Sequence, residues 1–113
     1  DKYQNEKVIS AVKHEIEGHM KDPGSVIYKN IKTKINKNQE RGNTTSVCLE
    51  YNAKNSMGGY TGFEEESCTF SDGRVTCLGI ILKQTVPLDG LTGVMKQLID
   101  QINKDAIRKE CDF

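Results

Sequence analysis

Apolar residues at Val8, Ile9, Val12, Ile16 and Met20 recur every three or four positions with polar residues between them. That spacing lays one stripe along a helix and predicts the element over 3–20. Lys21-Asp22-Pro23-Gly24 ends it, because proline pushes the preceding residue out of the α region and glycine permits a turn. The period then changes. Val26, Tyr28, Ile31, Thr33 and Ile35 mix with Lys29, Lys32, Lys34 and Lys37, the partial alternation of a solvated or edge strand. After a polar turn over 37–43, Val47, Leu49 and Tyr51 alternate with Cys48 and Glu50 in a second strand over 44–52.

Two more strands are predicted, over 60–70 and 74–83. The later one ends in Cys77-Leu78-Gly79-Ile80-Ile81-Leu82, an apolar run that reads as a central, buried strand. Pro87 closes the sheet. Leu91, Val94, Met95, Leu98, Ile99, Ile102, Ala106 and Ile107 then form a helical stripe, with Asp89 as its cap, that carries the chain to Cys111. The order helix, four strands, helix with short connections predicts one α+β domain over 1–113. Its expected form is a four-stranded antiparallel meander with both helices on one face.

The cysteines change this picture from a fold to a compartment. Cys48, Cys68, Cys77 and Cys111 include no C-x-x-C pair, whereas structural zinc sites space ligands tightly, so no metal site is expected. Cys68-Thr69-Phe70-Ser71-Asp72-Gly73-Arg74-Val75-Thr76-Cys77 reads as a hairpin, since Asp-Gly favours a type I′ turn with two positive φ angles. With Asp72 and Gly73 as loop residues, Ser71 faces Arg74 and the count outward brings Cys68 opposite Cys77. That is a non-hydrogen-bonded pair with Cα atoms roughly 4.5 Å apart, near disulfide reach. Cys48 then pairs with Cys111 by elimination. Two disulfides in a chain of 113 residues suggest export. The expected location is periplasmic or secreted, after removal of an export signal.

Charge names no partner. Sixteen basic residues balance sixteen acidic ones, so no whole-chain field draws in nucleic acid or an anionic membrane. The set Lys29, Lys32, Lys34, Lys37 and Arg41 has little aromatic interleaving and reads as edge-strand protection. Nowhere is there a run of about 18 apolar residues for a transmembrane segment. Self-association is open: the lysine-edged strand or the first helix are the surfaces that the sequence offers for a homodimer.

Candidate chemistry is sparse. His14-Glu15-Ile16-Glu17-Gly18-His19 resembles the zincin motif but separates its histidines by five residues, which turns them about 140° apart on a helix. Neither histidine has a nucleophile or carboxylate partner in sequence, and no G-x-S-x-G elbow occurs. Glu64, Glu65 and Glu66 in succession read as solvated. These readings predict a non-enzyme with no catalytic residues and no cofactor. The most unusual stretch is 52–63, where glycines, amides and aromatics concentrate. It lacks the order of a phosphate loop and reads either as a strand connection or as a recognition loop presenting Asn55, Ser56, Met57, Tyr60, Phe63, Glu64 and Glu65.

Asp22-Pro23-Gly24-Ser25, followed by Val47-Cys48-Leu49-Glu50-Tyr51-Asn52-Ala53-Lys54-Asn55-Ser56-Met57-Gly58-Gly59-Tyr60-Thr61-Gly62-Phe63, resembles a pattern in small bacterial exported proteins and lipoproteins. That pattern runs D-P-x-S, then V-C-G-x-x-N-A-K-N-S-x-G-G-Y-x-G-F, and Leu49 stands where it has glycine. The resemblance implies an exported location and no established activity. The expected function is an immunity or inhibitor protein that blocks a toxin or cell-wall hydrolase through the 55–66 region. The alternative is a periplasmic carrier of a small molecule or envelope ligand.

Overall fold

The computed structural model describes residues 2–85 and 89–113; the expected role of Pro87 lies outside them. The first helix, α1 (Lys2–Glu17), and a single 3-10 turn at Pro23–Ser25 precede the strands β1 (Ile27–Asn36), β2 (Thr44–Asn52), β3 (Glu64–Ser71) and β4 (Arg74–Cys77). Two helices follow, α2 (Leu78–Thr85) and α3 (Gly93–Glu110). The strands form one antiparallel sheet in the order β1-β2-β3-β4. The α+β architecture expected from the pattern is the one observed.

The core lies under α1. Val8, Val12 and Ile16, one i, i+4, i+8 row, are fully buried against Val47, Leu49, Tyr51, Cys68 and Cys77, and each such side chain stabilises the fold by about 1.5–3 kcal/mol. Strand alternation sends Cys48 and Glu50 to the opposite face. Cys48 is bonded there to Cys111, so the end of α3 lies across the sheet from α1. The expectation that both helices share one face fails for this reason. Lys32, opposite Cys48 in the register, fastens the same corner by donating to the carbonyl oxygens of Cys111 and Phe113 at 2.6 and 2.8 Å.

The hairpin between β3 and β4 has the expected register, with Ser71 opposite Arg74 and Cys68 opposite Cys77. Asp72 and Gly73 both have positive φ, and the Cys68–Cys77 disulfide spans 4.0 Å between Cα atoms.

The predicted fourth strand is corrected. Only Arg74–Cys77 is extended, at the sheet edge, and Leu78–Thr85 is helical. A short apolar run does not distinguish strand from helix; here the choice is made by Glu66. Its carboxylate is 1 % exposed and accepts from the amides of Gly79 (2.6 Å), Ser67 (2.9 Å) and Ile80 (3.2 Å). Two of these are first-turn donors of α2, which have no intrahelical partner. Glu66 is therefore not a solvated member of an acidic triplet. The cap of α3 is also displaced: Asp89 and Gly90 form a turn, with Gly90 at φ 86°, and the helix begins after an extended Thr92.

Candidate functional site

Strand β3 begins at Glu64, not at Tyr60 as expected, because 53–63 is a separately organised loop. The Asn55 side chain closes its tip: Oδ1 accepts from the amides of Met57 and Gly59 at 2.9 and 3.1 Å. The Asn55 backbone donates to Gly59 O and accepts from Gly58 N. Gly58 sits at φ 84° and Gly62 at φ 111°, conformations that glycine adopts without a Cβ clash. The Gly62 amide donates to Asn52 Oδ1 at 3.1 Å, and Lys54 and Tyr60 form an isolated antiparallel bridge.

The loop is moored to the turn after α1. Ser25 Oγ accepts from the Lys54 amide at 3.0 Å and donates to the Asp22 carbonyl at 2.7 Å. The Tyr60 hydroxyl donates to the Ser25 carbonyl at 2.8 Å. The two separated stretches that carry the resemblance, 22–25 and 47–63, thus meet in space.

The seven nominated binding residues divide. Asn55 turns inward as the tip's scaffold. Ser56 and Met57 stand at the tip, with Met57 93 % exposed. Tyr60 is partly exposed but tied to Ser25, with the Lys54 ammonium 5.6 Å from its ring centroid, and Phe63 lies under the Lys29 ammonium at 4.0 Å. Glu64 and Glu65 point to opposite faces of the sheet. Glu64 accepts from Tyr51 Oη at 3.0 Å and pairs with Lys83 at 2.8 Å, while Glu65 pairs with Arg108 at 3.2 Å. The loop gathers Asn55 to Phe63, and Glu65 belongs to a different surface.

Under the loop, the end of α1 and α2 frame an open cavity of about 360 Å³ whose lining includes His19, Met20, Lys21, Tyr51, Lys54 and Ile80. Burial pushes the Tyr51 hydroxyl well above the ordinary range, helped by the carboxylates of Glu64 and Glu66, so it remains an O–H donor. Tyr28 is shifted the same way, by burial and by Glu17, which accepts its hydroxyl at 2.6 Å. Glu66 is raised by burial despite three amide donors that act in the opposite sense. His19 contacts Glu15 at 3.3 Å on α1. The cavity lining itself supplies Lys21, Lys54 and Lys83, the Glu64 carboxylate paired with Lys83, and the protonated Tyr51 hydroxyl. Ser25, Asn52 and Lys83 were not nominated from the sequence; the Ser25 signal was present in the D-P-x-S half of the pattern.

No protein-family model, curated protein or solved structure matches the chain. Among the described residues no helix is long and apolar enough to cross a membrane.

Proposed function

We propose that the protein is an exported binding module of the immunity or inhibitor kind, which blocks a toxin or cell-wall hydrolase by seating the 55–58 tip in its cleft. The observation that carries this reading is a moored loop with Met57 at its apex, 93 % exposed. A loop already held by its own hydrogen bonds and by Ser25 loses little entropy on docking. A methionine held there offers an unbranched, polarizable anchor to an irregular pocket. Two disulfides agree with a periplasmic or secreted location.

The test is a titration of the oxidised protein into activity assays of secreted toxins and cell-wall hydrolases, beside a Met57→Asp variant. Expected are inhibition by the parent and at least about tenfold weaker inhibition by the variant, with an unchanged unfolding midpoint. Equal inhibition by both proteins would refute the tip as the contact. A second reading, an envelope-ligand carrier, draws on the cavity of about 360 Å³, within the roughly 300–1,000 Å³ of small-molecule sites. Its signature is no inhibition together with a small molecule retained in native mass spectra.

A further inference from the structure

Helix α3 presents its apolar residues on two sides. Toward the body it buries Ile107, with Ile99 and Ala106 half-buried. On the outward side Val94, Met95, Leu98 and Ile102 are 80, 54, 53 and 56 % exposed. At about 100° per residue, Val94 and Ile102 lie about 40° to either side of Leu98, Met95 lies about 60° away, and Ile107 is diametrically opposite. The four lie together in one apolar patch, more than a scatter of single surface residues.

The geometry points to a second copy of this chain as the occupant of that face. Val94, Leu98 and Ile102 form one i, i+4, i+8 ridge that reads the same in both directions about Leu98. A two-fold axis through Leu98 therefore sets Leu98 against itself, and Val94 of each copy against Ile102 of the other.

The charge pattern favours an identical partner. Between 94 and 102 the polar side chain nearest the ridge is Gln101. Lys96 and Asp100 lie about 160° from Leu98, and Asp100 pairs with Lys104 along the helix at 3.0 Å. Identical faces thus meet without like-charge repulsion. A lipid surface fits less well, because Lys96, Lys104, Arg108 and Lys109 are nearly balanced by Asp100, Asp105 and Glu110, leaving none of the basic polar face of interfacial helices.

Four apolar residues a side make a contact smaller than the roughly 1,200 Å² of a standard interface until flanking groups such as Gln97, Gln101 and Asp105 are added. That size describes a reversible dimer. The surfaces nominated from the sequence serve worse. Val8, Val12 and Ile16 of the α1 stripe are fully buried in the core. The β1 edge is interrupted between Lys29 and Lys32, where Asn30 has φ 55°, and its lysines oppose strand addition.

The test is sedimentation velocity of the oxidised full chain from about 1 to 200 μM. The expected result is a doubling of mass toward the upper end. Leu98→Lys places like charges on the axis and is expected to raise the dissociation constant at least about tenfold. Its helical signal and unfolding midpoint should not change, because the site is exposed. Val94→Glu or Ile102→Lys alone is expected to weaken the dimer, and the two combined to restore it, since each carboxylate then faces an ammonium of the other copy. A monomer at every concentration overturns the proposal, as does a dimer indifferent to Leu98→Lys. Cosedimentation of the monomer with vesicles of mixed neutral and anionic phospholipid, lost in Leu98→Lys, would also overturn it by assigning the face to lipid.

Discussion

A methyl group at position 79 is expected to destabilise the protein even though it replaces glycine inside a helix. An alanine Cβ there would lie 2.6 and 2.9 Å from the two Glu66 carboxylate oxygens and 3.0 Å from Cδ. The obstacle is the end of a flexible side chain, which would normally swing away. Glu66 has little room to do so, being fully buried and held by three backbone amides. Moving it weakens buried hydrogen bonds and leaves amides without an acceptor, at about 1–3 kcal/mol for an unsatisfied buried group, while the added volume in a packed site costs about 1–3 kcal/mol. The opposing gain in helix propensity is at most about 1 kcal/mol. Gly79 has no positive φ, so backbone strain adds nothing and the effect is steric. The net expectation is a loss of about 2–3 kcal/mol.

Urea unfolding of the oxidised protein measures this. With a slope of about 1–3 kcal/mol per molar, the Gly79→Ala midpoint should fall by on the order of 1 M. The decisive comparison is the same substitution in a Glu66→Ala background, where the methyl meets no carboxylate and should be neutral or mildly stabilising. The coupling between the two sites is then about 2 kcal/mol or more. A Gly79→Ala midpoint equal to or above the parent's would refute the steric argument. Additivity of the two substitutions would refute the pairing of Glu66 with the start of α2.

Removing Cys48–Cys111, which are 63 residues apart, should cost about 4 kcal/mol by loop entropy, against about 2.6 kcal/mol for Cys68–Cys77 at a separation of 9; paired Cys→Ala variants in denaturant titrations give both values. Ser25→Ala removes the acceptor for the Lys54 amide and should lower stability by about 1 kcal/mol. Native-state hydrogen exchange should then quicken at Lys54, Met57 and Gly59 and stay unchanged along β2 and β3. Glu66 sets a pH dependence. Its folded pKa is raised from 4.5, so the folded state binds more protons than the unfolded one in the window above that value. Stability should therefore fall as pH rises from about 4.5 toward the raised pKa and then level off. Fluorescence-detected unfolding should show that part of the slope missing in Glu66→Gln.

The elements legible in the sequence were those whose determinants are local. The α1 stripe at Val8, Val12 and Ile16 states its own period, and Asp72-Gly73 fixes the β3–β4 register, from which Cys68–Cys77 and then Cys48–Cys111 follow. Helix α2 was not legible, because the carboxylate that accepts the Gly79 amide stands thirteen residues upstream among three consecutive glutamates. On a strand those glutamates alternate, so Glu64 and Glu66 face the α1 side and Glu65 the other. Once Leu49 and Tyr51 are core, Glu66 opposite Leu49 is a carboxylate carried inward that must find donors. The stripe of α3 is wide enough for two faces and does not place the helix by itself; the signal lies in Cys48, which alternates with Val47 and Leu49 in β2 and, bonded to Cys111, draws the helix end across the sheet.

The 52–63 loop shows why a recognition surface and a turn scaffold look alike in sequence. Asparagine, serine, glycine and tyrosine suit a binding loop because they combine small volume with adaptable hydrogen bonding, and the same properties let them close a turn. In this protein Asn52, Asn55, Ser25 and the Tyr60 hydroxyl direct their polar atoms into the loop and its mooring. Most of the pattern thus specifies a shape, and Ser56 and Met57 are what that shape displays. If a partner is read here, changing Met57 alters affinity without altering the fold, whereas changing Asn55 or Ser25 alters the fold of the loop and affinity only through it. The two classes separate in a plot of affinity against loop-amide exchange, which places Met57 variants off the line that the scaffold variants define.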